Sequence, residues 1–306
     1  MKIQRREFLA KSALGLGGTL LGRSLLAETK PRTKFFDPYE RVTLGKTPLA
    51  TTRFCLGTGM KGGQRQSNQT RLGKEKFEAL IHEAYDRGVR TFDLADLYGT
   101  HPYVIPALKG IPRDKFQIIS KIWWRDGGIP EKERPDADVV IERFLRELNT
   151  DYIDLVLLHC VVSPKWPEEL RRQMDLLSKL KEKKTIRALG VSCHSLEALE
   201  ACIAEPWVES VHTRINPYGM SMDGAPEKVV PVLQKIHAAG KGVVGMKICG
   251  EGRLRNDPDK RDASVKFSLG LGCVDVFNVG FEKPEEIDDL AERVRKVEQS
   301  AAKLTI

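Results

Sequence analysis

Several things are missing from this chain of 306 residues, and each absence removes a class of function. Its six cysteines are scattered from Cys55 to Cys273 with no C-x-x-C spacing, which argues against a zinc site, a dithiol redox motif or a disulfide framework. No apolar run reaches the length that spans a bilayer as a helix. No Arg/Lys run with interleaved aromatics marks a nucleic-acid surface. The net charge of +8 is less basic than it looks, because Lys2, Arg5, Arg6, Lys11 and Arg23 against Glu7 supply +4 of it before residue 28. What remains is a weak prior for anionic partners.

The amino-terminal segment differs from the rest. Gln4-Arg-Arg-Glu-Phe-Leu9 precedes small and apolar residues from Ala10 to Leu21, a run too short and too glycine-rich for a membrane helix. It resembles a twin-arginine export signal, with Arg5, Arg6, Phe8 and Leu9 at the matching positions. The resemblance implies the twin-arginine machinery as a partner and an exported, periplasmic location. Residues 1–27 read as signal, 28–40 as a polar linker with Pro31 and Pro38, and 41–306 as one folded domain.

That domain opens with two extended pieces around Gly45-Lys46, a hairpin. Short apolar strands then alternate with amphipathic helices. Phe54–Thr58, the stretch from Thr91, Gln117–Lys121, Leu155–His159, Ala188–Ser192, Val208–Ile215, Val243–Ile248 and Asp275–Val279 read as strands, and a helix from Pro284 to about Lys303 ends the chain. Eight such units argue for an α/β fold, a (β/α)8 TIM-type barrel with a short N-terminal hairpin and a C-terminal helix. The length suits that architecture, which takes roughly 250 residues.

In such a barrel the chemistry sits where strands end. Asp93, Lys121 and His159 end three consecutive strands and should converge at one mouth, with Tyr98 in the loop after the first of them. A phenol is a poor acid, with an ordinary pKa of about 10. A lysine beside its oxygen lowers that value, and an aspartate behind the lysine keeps it charged and oriented. A histidine on the same rim donates to a carbonyl oxygen and positions it. The set suits reduction of an aldehyde or ketone, or oxidation of an alcohol. The bland alternatives are a buried ion pair, a satisfied barrel histidine and an ordinary loop tyrosine, which would all have to coincide.

The chain resembles the aldo-keto reductase family from about Val42 to Val297. The resemblance rests on Phe92-Asp93-x-Ala95-x-x-Tyr98-Gly99, Ile119-Ser120-Lys121, the run Leu148 to His159, Leu189-Gly-Val-Ser192, and Val279-Gly280 before Pro284-Glu285. It implies Tyr98 as general acid, Lys121 and Asp93 as its tuners, His159 as orienting group, and Trp123 and Trp124 in the substrate pocket. It also implies NAD(P)H across the barrel mouth, held by Ser192, Cys193, His194, Met246, Lys247, Gly280, Phe281 and Glu286, with no metal. Several of these depart from the family's usual residues. Cys193 replaces an asparagine, with His194 as a substitute, and Met246 replaces a stacking aromatic. Glu286 stands where a basic residue commonly meets the 2′-phosphate, so a preference for NADPH is not expected. Those losses leave two rivals in play: a barrel that binds a carbohydrate or small ligand without catalysis, and a cofactor-independent acid–base enzyme.

Overall fold

A computed structural model describes residues 34–299; the signal segment and the first part of the linker lie outside them. Two strands, β1 (Arg41–Thr43) and β2 (Ala50–Thr52), pair antiparallel with Arg41 opposite Thr52. Eight more follow: β3 (Phe54–Gly57), β4 (Thr91–Asp93), β5 (Gln117–Ile122), β6 (Ile153–Val161), β7 (Ile186–Cys193), β8 (Ser210–Arg214), β9 (Gly242–Met246) and β10 (Val276–Gly280). All eight pair parallel with their neighbours, and β10 returns to β3 to close the barrel. The expected architecture is therefore the observed one.

Two apolar layers account for the closure. Cys55, Ile119, Leu155, Leu157, Ala188, Val244 and Val276 fill the interior, joined by Leu44 and Leu49 from the hairpin. The larger cluster lies outside the strands and takes in helix residues such as Phe77, Ile81, Phe144, Leu233 and Leu290. Strand residues alternate between the two layers because side chains on an extended backbone point alternately to opposite faces. The hairpin belongs to the bottom of the barrel, where Lys46 N donates to Gly240 O at 2.8 Å just before β9 begins. Gly45 must be glycine there, since its φ is +55° and an added Cβ would stand 2.2 Å from Gly242 N.

Buried Asp154 ties the same end together. It accepts from Arg113 Nη2 at 2.7 Å, from Ile118 N at 2.9 Å and from Arg187 Nη1 at 3.0 Å, joining β5, β6 and β7.

Three details differ from expectation. β6 runs past His159 to Val161, with an irregularity between Leu158 and Val161 where Cys160 takes φ +63°. The described part of the linker is packed, not free: Phe36 N donates to Val297 O at 3.1 Å and Gln299 N to Lys34 O at 2.6 Å. That pairing competes with helix, so the last helix stops at Arg295.

Leu44 is fully buried at the end of the barrel away from the mouth. Replacing it with alanine should cost about 3 kcal/mol of unfolding free energy in urea denaturation while leaving ligand binding at the mouth unchanged.

Candidate functional site

The strand alternation that fills the core also builds the site. Asp93, Lys121, His159, Ser192, His212, Arg214, Met246 and Asn278 all share the parity of the interior residues and lie at or near the carboxyl ends of their strands. Apolar groups occupy the lower layers, and polar groups occupy the layer beneath the mouth.

Lys121 is fully buried. Its Nζ donates to Asp93 Oδ1 and, at 2.9 Å, to Leu94 O. Asp93 Oδ2 accepts from Asn278 Nδ2, and His212 Nε2 lies 3.9 Å from Asp93 Oδ1. Burial pushes the Asp93 carboxyl up, and Lys121 and Asn278 oppose that shift. The lysine also stands 5.1 Å from the Tyr98 ring centroid, within cation–π range. Tyr98 Oη meets His159 Nε2 at 3.3 Å, with the two rings nearly perpendicular. The four predicted residues are thus brought to one place.

Their electrostatics differ from the expectation of a lowered phenol pKa. Burial pushes Tyr98 well above 10, and Asp93 and then Cys160 add to the shift. His159 is held well below its usual value by burial and then by Lys121, so its imidazole is neutral. Burial and then Arg214, Lys247, Arg125 and Lys121 take His194 down to about 3.

Tyr98 is seated by glycines. A Cβ on Gly59 would fall 2.1 Å from its ring, and one on Gly62 would fall 2.5 Å from it. Gly57-x-Gly59-x-x-Gly62 happens to spell a dinucleotide fingerprint after a strand. Here no long helix opens directly on it, since the four-residue helix Asn68–Arg71 intervenes before the one from Lys74 to Asp86, and two of its glycines serve the tyrosine.

Beside the tetrad runs a trough lined by Gly57, Tyr98, Met246, Lys247, Glu251, Asn278 and Gly280. It continues past Met60, Cys249 and Gly252 into a second hollow edged by Arg255 and Glu286. A trough that starts at Asp93 and Tyr98 and ends in charged groups suits a ligand with a polar group at each end, as a nicotinamide dinucleotide has. Over it, Gly250, Glu251 and Gly252 all have positive φ, and Lys247 Nζ pairs with Glu251 at 2.6 Å. At the far end Arg255 pairs with Glu282 at 2.7 Å and Glu286 at 3.2 Å, while Glu286 also accepts from Glu282 N. Its one guanidinium is already matched by two carboxylates, which leaves little there for a 2′-phosphate.

Of the other expected residues, Ser192 Oγ meets His194 Nε2 at 3.3 Å, and Arg214 holds the other ring nitrogen. Trp123 stands over His159 with centroids 5.4 Å apart. Two expectations need correction, both for the same reason of parity. Cys193 follows an inward residue and so faces the helices, its Sγ 3.5 Å from Cys202 Sγ and away from the mouth. Trp124 packs on the outer layer and donates to His159 O at 2.6 Å, which fixes the histidine without lining a pocket. Phe281 is buried edge-on against Phe54 and lies along the second hollow. Asn278 and His212 escaped sequence reasoning, although a polar residue of interior parity near a strand end was the signal for both.

Comparison with known proteins gives the same picture. The model of the Aldo/keto reductase family matches residues 53–305. The aldo-keto reductase AFTS1 of Alternaria alternata is 27% identical over 290 residues, covering 84% of this chain and 75% of that protein. A putative aldo-keto reductase from Pseudomonas aeruginosa shares the fold with a TM-score of 0.68 at 24% identity, over 84% of this chain and 96% of that one. The holo form of an aldo-keto reductase from Bacillus halodurans gives 0.68 at 20% identity, over 86% and 93%.

Neutral buried histidines make stability sensitive to acid. Below about 6.5 the unfolded chain protonates its histidines, while His159, His194 and His212 in the fold stay neutral. Each should therefore remove up to about 1.4 kcal/mol per pH unit as pH falls from about 6.5 towards its folded pKa. His212→Asn should flatten that dependence by one such contribution in urea denaturation at pH 7 and 5; an unchanged slope would mean that His212 is charged inside the barrel.

Proposed function

Because the chain belongs to the aldo/keto reductase family, and is therefore an NAD(P)H-dependent oxidoreductase, we propose that it is an exported enzyme that reduces a small aldehyde or ketone with Tyr98 as proton donor. The observation that carries this reading is the convergence of Tyr98, Lys121, Asp93 and His159 beside an open trough. When bound, the dinucleotide supplies a hydride to the carbonyl carbon. The chain's own groups handle the oxygen. Neutral His159 Nε2 and the Tyr98 hydroxyl face the same point, where they orient a carbonyl oxygen between them. Tyr98, a phenol whose ordinary pKa of about 10 burial raises further, is protonated at neutral pH, and so it arrives with the proton to be given. Lys121, fixed by Asp93, offsets the charge left on the phenol oxygen. Trp123 above His159 closes the apolar side of the pocket.

Met246 and the Lys247–Glu251 pair border the trough where the nicotinamide end and the phosphates would lie. Ser192, bonded to His194, is the candidate for the carboxamide. The carboxylates on Arg255 favour NADH over NADPH, because a ribose hydroxyl can bond to a carboxylate that a phosphate would meet with repulsion. Export rests on Arg5, Arg6, Phe8 and Leu9, which lie outside the described residues. A chain exported already folded can carry its cofactor with it, which would answer the lack of an evident nicotinamide pool outside the inner membrane.

Titration of protein lacking residues 1–27 with NADH and NADPH, followed by cofactor fluorescence, should give binding of both with NADH the tighter. Tyr98→Phe should keep that binding and lose roughly a thousandfold in kcat. Absence of binding by folded, nucleotide-free protein would refute the reading. Replacing Arg5 and Arg6 together by lysine should hold the full chain in the cytoplasm in a fractionation experiment, and unchanged export would refute the twin-arginine assignment.

A further inference from the structure

The loop that leaves β5 places Trp123, Trp124 and Arg125 in succession, and the three go to different places. Trp123 covers His159, and Trp124 packs outward. Arg125 returns over the mouth, where its Nη1 reaches the Sγ of Cys160, the residue after His159, at 3.3 Å. Its charge is felt at His194. The loop itself is held down, since Arg134 donates to Arg125 O and Gly127 O at 2.7 Å each.

What sets Arg125 apart is the state of its neighbours. Lys121 is committed to Asp93, Arg214 to Asp223 at 3.2 Å, Lys247 to Glu251 at 2.6 Å, and Arg65 to Glu131 at 2.9 Å. Among the described residues no carboxylate lies within ion-pair distance of Arg125, and the thiol it touches is a weak acceptor. A half-buried guanidinium with unspent donors is a ready partner for a carboxylate, which it can bind with two parallel hydrogen bonds. Topology says which ligand would meet it. The trough follows β3, β9 and β10, and its charged end is at Arg255. Arg125 stands across the mouth, over β5 and β6, on the side of the tyrosine opposite the trough.

We propose that the carbonyl compound reduced here carries a carboxylate, and that Arg125 binds it. The inference rests on the reduction proposed above and narrows its substrate class to small oxo acids. A lone guanidinium balances one negative charge, which favours a carboxylate over a phosphate. The other groups that face it, Cys160, His194 and the backbone of Arg134's loop, carry no negative charge to compete.

The test compares succinic semialdehyde with butanal, equal in chain length and differing in the terminal carboxylate, in wild-type protein, Arg125→Met and Arg125→Lys. The wild type should prefer the semialdehyde. Arg125→Met should raise KM for it about thirtyfold, the value of a charge-assisted hydrogen bond, with KM for butanal and both kcat values little changed. Arg125→Lys should restore part of the loss. Equal loss on both aldehydes, or no change on either, would overturn the proposal and leave Arg125 a loop residue, while normal turnover of butanal would leave the reductase reading standing. If neither aldehyde is reduced, quenching of tryptophan fluorescence decides. Quenching by the semialdehyde that Arg125→Met abolishes would uphold the anion site and refute the reduction. Quenching indifferent to Arg125 would overturn the site.

Discussion

The buried contact between Lys121 and Asp93 is the constraint on which the mouth depends. An ammonium and a carboxylate removed from water cost several kcal/mol each, and only their mutual attraction together with further hydrogen bonds offsets that cost. Here the remaining valences are taken by Leu94 O and Asn278. Three strands are therefore tied to one another at a fixed height: β4 through Asp93, β5 through Lys121 and β10 through Asn278. The lysine is held in place beneath the Tyr98 ring, and its charge helps to keep His159 and His212 neutral. A contact of this kind does little for net stability. Its effect is positional, fixing where the phenol can sit and in which protonation state its neighbours arrive.

A second network supports the tyrosine loop from behind. His101 bridges Ser120 Oγ at 2.7 Å and Glu147 Oε2 at 2.6 Å, so the turn after Tyr98 is tied to the strand that carries Lys121. Burial alone would push Glu147 up, but His101 and Arg143 hold it at about 2. Arg143 in turn reaches Asp96 at 2.7 Å, within the turn that presents the tyrosine. The serine, histidine and glutamate line up as a hydrolytic triad does, yet Ser120 is fully buried behind the sheet and can meet no substrate. They act as a brace.

The rim divides by charge. Towards β9 and β10, Lys247 and Arg255 each face one or more carboxylates. Across the mouth Arg125 has no carboxylate partner among the described residues. The first side matches a long ligand with several polar groups. The second leaves one charge for one anion.

The sequence by itself determined the barrel and the tetrad. Alternation of short apolar strands with amphipathic helices has one common solution at this length, and each tetrad member lies at a strand end or in the loop just after one, so spacing alone placed all four at one mouth. Which way a neighbour of a site residue points was equally written there, since Cys193 and Trp124 each follow an inward residue, but that consequence becomes visible only when the interior layer is seen. The tertiary structure decided the rest. That Asn278 completes Asp93 depends on β10 closing beside β3, a contact between residues far apart in the chain. That Tyr98 has its pKa raised, although a lysine lies beneath it, depends on how deep the phenol sits and on which oxygen Lys121 actually meets. Desolvation and Coulomb energy are functions of distance and burial, and no spacing along a chain contains either.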